Sequence, residues 1–290
     1  MMARRRRAIA SAAALAVLAA GCDPAPPLTA RPALYRVTDA DTVIWLIGTV
    51  HVLPPKVAWE TATILAAERD ADTLVTELPA LAPGDAAQAF AAMARAPDLP
   101  PILERVPTAA RAPLARLAKR AGLSLDSLSA MKSWAAALTL SAAAARIDGG
   151  ASPANGVESV IEARMAGRKR IGLETLPEQL GFFDALDERD QRRLLTSSVT
   201  SGASFRQVLA AWAAGDEARL AELVSGPLRA APALEAALLT RRNARWTVWI
   251  AQRMARPGRV LVAVGAGHLA GPKSVVATLR ARGLRVQRIQ

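Results

Sequence analysis

Thr42-Val43-Ile44-Trp45-Leu46-Ile47-Gly48-Thr49-Val50-His51, near the start of the chain, is matched near its end by Arg259-Val260-Leu261-Val262-Ala263-Val264-Gly265-Ala266-Gly267-His268. Each stretch is an apolar, β-branched run that leads into G-x-x-H. Each is followed by a segment of helical pattern, Val57 to Glu68 in the first case and Pro272 to Arg282 in the second. A glycine lets the chain leave a strand in a tight turn. Each histidine is therefore expected at the carboxyl end of a sheet strand, where open α/β sheets bind ligands. The chain has only 2 histidines, and both stand in this motif. If the two strands are neighbours, two imidazoles converge on one point.

Working outward, Tyr35 to Val37 pairs with Thr42 to Ile47 as a hairpin turning at Asp39-Ala40-Asp41. Thr73 to Thr76 and Lys169 to Gly172 are further strand candidates, each running into a glutamate, Glu77 and Glu174. Leu284 to Ile289 is a final strand. Pro101 to Met165 and Pro177 to Met254 carry mostly helical pattern, punctuated at Gly149-Gly150 and Ser225-Gly226-Pro227. The expected fold is α/β: a mixed sheet built from the N- and C-terminal halves, with a large helical insertion over about 80–230. Residues 34–290 form one domain, in keeping with the length prior.

The N-terminus has the features of an export signal. A basic run, Arg4 to Arg7, precedes the uncharged stretch Ala8 to Ala20 and a small-residue end at Gly21-Cys22, so residues 1–21 are expected to be a signal peptide. Leu18-Ala19-Ala20-Gly21-Cys22 resembles the lipobox of bacterial lipoproteins, with Leu18 one place early. Cys22 is the only cysteine and is the expected lipidation site, followed by a Pro-rich tether over 22–33. The protein is expected in the cell envelope or periplasm, held to a membrane through that lipid; a soluble periplasmic protein cut at the same point is the alternative. The formal net charge of +12 is spread in short clusters such as Arg168-Lys169-Arg170 and Arg241-Arg242. These lack the dense basic, aromatic-interleaved surface of a nucleic-acid binder, so no nucleic-acid partner is expected. Ala135 to Ala145 is apolar but too short to span a bilayer.

The chemistry-bearing residues gather at the expected strand ends. Neutral imidazole is a common ligand of divalent metals. A carboxylate ending an apolar strand is costly to bury unless paired or metal-bound. Two nitrogens from His51 and His268 with one or two oxygens from Glu77 and Glu174, and no sulfur, fit Mn, Co or Zn. The plainer alternatives are satisfied structural histidines and glutamates that cap helices or pair with cations. On the helix Leu234 to Met254, Leu238, Leu239, Trp246, Trp249 and Ile250 mark a core-facing stripe. Arg242 and Asn243 fall inside it, and a guanidinium there must find a carboxylate, a carbonyl or a ligand.

Gly48-Thr49-Val50-His51, the strand into Glu77, Met131-Lys132-Ser133-Trp134, Leu173-Glu174-Thr175 with Gln179, Arg242-Asn243 and Val264-Gly265-Ala266-Gly267-His268-Leu269 together resemble the TraB/GumN family, from about residue 34 to the C-terminus. That family is related to the Tiki metalloproteases. The resemblance implies a metal site of His51, Glu77 and His268 assisted by Arg242 and Asn243. It also implies a sheet formed from two halves around a helical insertion. The chain departs from the family at Ser133, where Pro is frequent, and at Glu158, where Asp is usual after Gly156; both departures are expected to lie clear of the ligands.

The function expected from these features is a metal-dependent hydrolase of peptide or protein substrates. Glu174 or Glu77 would be the general base, and Arg242 would sit near the developing oxyanion. The alternative is a non-catalytic lipoprotein that captures a metal or haem.

Overall fold

The computed structural model describes residues 28–96, 98–200, 205–229 and 231–290. The expected signal peptide and Cys22 lie outside them. The hairpin forms as expected: Leu34–Thr38 (β2) runs antiparallel to Thr42–Thr49 (β3). Its turn is held by the Asp39 carboxylate, which accepts from the Asp41 and Thr42 backbone N–H groups, the local bonding that makes Asp a turn residue. Leu28–Thr29 (β1) pairs with Val57–Ala58 (β4) in a small two-stranded parallel sheet. Ala30 is fully buried and the Arg31 N–H donates to the Ala213 carbonyl. The last part of the stretch expected as tether, residues 28–33, is thus docked on the fold.

Thr73–Thr76 (β5), Lys169–Gly172 (β6), Gly258–Gly265 (β7) and Val286–Arg288 (β8) complete a mixed six-stranded sheet of order β6-β5-β7-β3-β2-β8. The first and last chemistry-bearing strands, β3 and β7, are parallel neighbours over their whole length, from Thr42 against Gly258 to Thr49 against Gly265. β5 pairs in parallel with both β7 and β6. Four adjacent strands therefore point the same way.

Strands buried on both faces read as continuous apolar runs, and β3 and β7 show why. Trp45, Ile47, Leu74, Leu261 and Ala263 face one layer, with Ile64, Val157, Ile161, Leu209 and Trp212. Ile44, Leu46, Val75, Val260, Val262 and Val264 face the other, with Trp246, Ile250, Val275, Val276 and Leu279. Each fully buried Val, Leu or Ile side chain contributes roughly 1.5–3 kcal/mol relative to an exposed one.

The two helices that follow the G-x-x-H turns start later than the sequence pattern indicates. Ala62–Asp70 begins after Thr61, whose hydroxyl accepts from the Ile64 N–H, while Val57–Ala58 is spent on β4. Val275–Ala281 begins after Ser274, which caps it through the Ala277 N–H. Polar caps, not apolar periodicity, set both starts.

The insertion is helical on both sides of β6. Ser133–Gly149, which holds the Ala-rich run, packs Ala136, Ala137 and Leu140 against Leu114 of the helix Thr108–Ala121 and Leu195 of Glu188–Thr200. Among the described residues no helix is long and apolar enough to cross a membrane. The punctuation expected at Ser225-Gly226-Pro227 does not break the chain, which stays helical over Glu217–Arg229. The helix expected from Leu234 carries a π turn at Ala236–Thr240 before continuing as Arg241–Met254. Such bulges are frequent at functional sites, and this one ends two residues before Arg242.

Candidate functional site

The carboxyl ends of the four parallel strands deliver four of the expected residues to one edge. β3 leads to His51, β5 to Glu77, β6 to Glu174 and β7 to His268. The two G-x-x-H turns lie side by side, offset by one residue, since Gly48 pairs with Val264 and Thr49 with Gly265.

Neither motif glycine has positive φ, so their role is close approach and not the unusual turn conformation expected from sequence. A Cβ on Gly48 would stand 3.0 Å from the Ala266 Cβ. A Cβ on Gly265 would stand 3.1 Å from Glu77 Oε1, 3.6 Å from His268 Cδ2 and 3.8 Å from His51 Nε2. The three expected ligands surround that one α-carbon.

His268 and Arg242 form the buried half of the site. The first turn of the 3-10 segment Ala266–His268 tucks the second imidazole inward, leaving it 6% exposed. Its Nδ1 lies 2.6 Å from Asn243 Oδ1, and the Asn243 amide is oriented by donating to the Lys273 carbonyl at 2.9 Å. Nε2 lies 3.2 Å from Arg242 Nη1. A guanidinium only donates, so this is the tautomer with hydrogen on Nδ1. Burial pulls the His268 ring down and the Arg242 charge adds to that against the pull of Glu77; its pKa falls to about 4. The indole of Trp246 packs on the ring with centroids 4.4 Å apart.

Arg242 finds the carboxylates its position in the apolar stripe demands. Its Nη2 donates to Glu77 Oε2 at 2.7 Å and to Glu174 Oε2 at 2.8 Å, and its Nε donates to Glu174 Oε1 at 2.9 Å. Glu174 also accepts from Arg245 and from the Trp246 indole. With its side chain 1% exposed it stands behind Arg242 and does not line the cleft. Glu77 accepts from the Gly265 N–H at 2.8 Å and from Gln179 at 2.9 Å. Burial pushes the Glu77 carboxyl up, but the imidazoles, the guanidinium and that N–H overcome it and hold it at about 2.

His51 forms the open half. Its side chain is 68% exposed, and Nδ1 lies 2.7 Å from Glu158 Oε1. Desolvation pulls the ring down, but the Glu158 hydrogen bond and charge prevail and raise it to about 9. Glu158 was expected to lie clear of the ligands, and the structure corrects this. Its helix, Val157–Arg164, abuts the His51 turn because residue 156 is glycine. A Cβ there would stand 2.2 Å from the His51 carbonyl oxygen. A cleft of about 370 Å³ opens here, bordered by His51, Glu77, Glu158, Glu162, Arg170 and Gln179 and by the apolar Leu78 and Pro79.

Met131 to Trp134 lies elsewhere. Lys132 and the Trp134 indole both engage Asp184, at 2.6 and 2.9 Å, and Ser133 donates to Glu188. This motif fastens the helix Leu176–Asp184, which carries Gln179, and so supports the site indirectly.

Among the described residues no three His, Cys, Asp or Glu side chains close into a ready cation cage; the Arg242 guanidinium bridges His268 Nε2 and Glu77 Oε2. The donor chemistry nevertheless fits a divalent ion. Each imidazole has one nitrogen held by an oxygen acceptor, the arrangement that fixes metal-ligating histidines. An ionised carboxylate stands beside both.

The fold and site define an α/β protein with a histidine, carboxylate and arginine cluster at the carboxyl ends of its parallel strands. The TraB/PrgY/gumN family model matches residues 33–288, and the chain belongs to that family. No curated protein and no solved structure matches it.

Proposed function

We propose that this chain is an exported, membrane-anchored, metal-dependent hydrolase that takes peptide or protein substrates into the cleft beside His51. One observation carries the proposal: both imidazoles have Nδ1 committed to an oxygen acceptor, Glu158 for His51 and Asn243 for His268, with Glu77 beside them at Gly265. Export and anchoring through Cys22 rest on the basic run, apolar stretch and lipobox-like end of residues 4–22.

His51, Glu77 and His268 are the residues that would hold the ion. A divalent metal (Mn, Co or Zn) held there would supply Lewis acidity, lowering the pKa of a water and polarising a scissile carbonyl. Asn243 keeps His268 in one tautomer. Glu77 is the carboxylate that borders the cleft; held ionised by its surroundings, it is better suited to ligate than to retain an abstracted proton. Arg242 stands next to Glu77 and offers positive charge to an oxyanion or to a substrate carboxylate. Glu174 orients Arg242 by accepting from two of its nitrogens.

Elemental analysis of the purified chain, with turnover of a peptide library, tests this. Wild type is expected to carry one divalent ion, and His51→Ala and His268→Ala to lose both ion and hydrolysis. Hydrolysis retained in both variants would refute the mechanism. Metal or haem uptake with no turnover would replace it with a binding function.

A further inference from the structure

We infer that Glu158 is the positioning residue of the site: it holds the His51 Nδ1–H and so presents Nε2 to the cleft. The inference rests on the metal-centred proposal for its consequence, though its geometry stands independently. Four contacts join residues 48–51 to residues 156–158. Glu158 Oε1 lies 2.7 Å from His51 Nδ1. The Thr49 hydroxyl donates to the same oxygen. The Val157 N–H donates to the Val50 carbonyl at 3.1 Å. Gly156, lacking a Cβ, lets the helix N-terminus press against the His51 carbonyl.

The arrangement is costly in a way that simple surface pairing is not. Glu158 Oε2 is buried and has no hydrogen-bond partner, which leaves a desolvated acceptor uncompensated. Among the described residues no other hydrogen bond reaches the His51 ring, so within them this carboxylate is what constrains an imidazole whose side chain is 68% exposed. The neighbouring imidazole is held at the same atom by a neutral amide, Asn243 Oδ1. When both rings are neutral, the two histidines thus share a tautomer favoured by two chemically different acceptors. Acceptors of this kind are worth about 10–100-fold in metal affinity.

The test uses the full chain, whose 2 histidines give a spectrum that His51→Ala assigns at once. Long-range proton–nitrogen spectra are recorded without metal, at a pH where the rings are neutral, for wild type, Glu158→Met and Glu158→Gln. Zinc binding is then measured by calorimetry. Wild-type His51 is expected to show hydrogen on Nδ1, Glu158→Met to shift it towards the Nε2–H form preferred by free imidazole, and Glu158→Gln to restore the wild-type pattern through its amide oxygen. Zinc affinity should fall about 10–100-fold in Glu158→Met and less in Glu158→Gln. An unchanged His51 pattern in both variants overturns the inference. If Glu158→Met does not fold, a wild-type pattern already showing hydrogen on Nε2 overturns it too. A shifted tautomer in a chain that binds no zinc even as wild type supports the positioning role and sinks the metal-centred proposal instead.

Discussion

The two G-x-x-H turns share a motif and a sheet edge, yet they are electrostatic opposites. His51 is exposed, backed by a carboxylate, and raised to about 9. His268 is buried, backed by an amide, crowded by Arg242 and lowered to about 4. The motif fixes where each ring sits along its strand; residues from remote elements fix what each ring is. Glu158 comes from a helix in the insertion before β6, and Arg242 and Asn243 from the helix leading into β7.

The sharpest way to break this contrast is Arg242→Met, which strips the buried turn of its cation. It leaves Glu77 with only the Gly265 N–H and Gln179, and Glu174 with only Arg245 and the Trp246 indole, and breaking a buried ion cluster in this way costs about 3–5 kcal/mol. Denaturant unfolding should show that loss. Arg242→Lys should recover only part of it, because an ammonium cannot reproduce the planar fork that serves three side chains, Glu77, Glu174 and His268. A loss below about 1 kcal/mol for Arg242→Met would mean the guanidinium is peripheral.

Gly156→Ala attacks the open turn. The added Cβ must push the helix Val157–Arg164 away from the His51 carbonyl, at a cost of about 1–3 kcal/mol. The effect should be smaller than that of Arg242→Met and should also loosen the contact between Glu158 and His51. Wild-type stability and wild-type His51 spectra in this variant would show that the helix N-terminus yields freely.

The smallest effect is in pH dependence. The His268 pKa of about 4 lies below the ordinary value of about 6.5. The unfolded chain therefore takes up that proton first, and this group's contribution is lost as pH falls from 6.5 towards 4. The His51 value of about 9 lies above 6.5, so its contribution is complete below 6.5 and is lost as pH rises through 9. Urea midpoints of metal-free protein across pH should show His268→Ala flattening the acid limb relative to wild type, and His51→Ala the alkaline limb. The alkaline change should be shallower, because an exposed ring is screened by water. A change in the same limb for both variants would erase the distinction between the turns.

Much of the fold was legible. The apolar β-branched runs at Thr42–Thr49 and Gly258–Gly265, the hairpin turn at Asp39 and the strands into Glu77 and Glu174 follow from residue type and period. Helix starts were less legible, because Thr61 and Ser274 act through single hydrogen bonds that periodicity does not register. The π turn at Ala236–Thr240 left no mark in the residue pattern. In the site, an Arg inside an apolar stripe was a sound signal, since a guanidinium there had to meet carboxylates. Glu158 was the residue overlooked. Its position directly after the Gly156-Val157 step was visible, but nothing local said that Gly156 would touch His51, a hundred residues earlier.

The sequence by itself determined which residues end strands and which side chains need partners, because strand period, glycine and buried charge are local demands. Only the tertiary structure decided who meets whom. It set β3 beside β7, gave His268 an arginine and an amide, gave His51 a carboxylate, and placed Glu174 behind Arg242. Those pairings depend on strand order and on close approach at glycines, which are properties of packed backbones and not of any one segment.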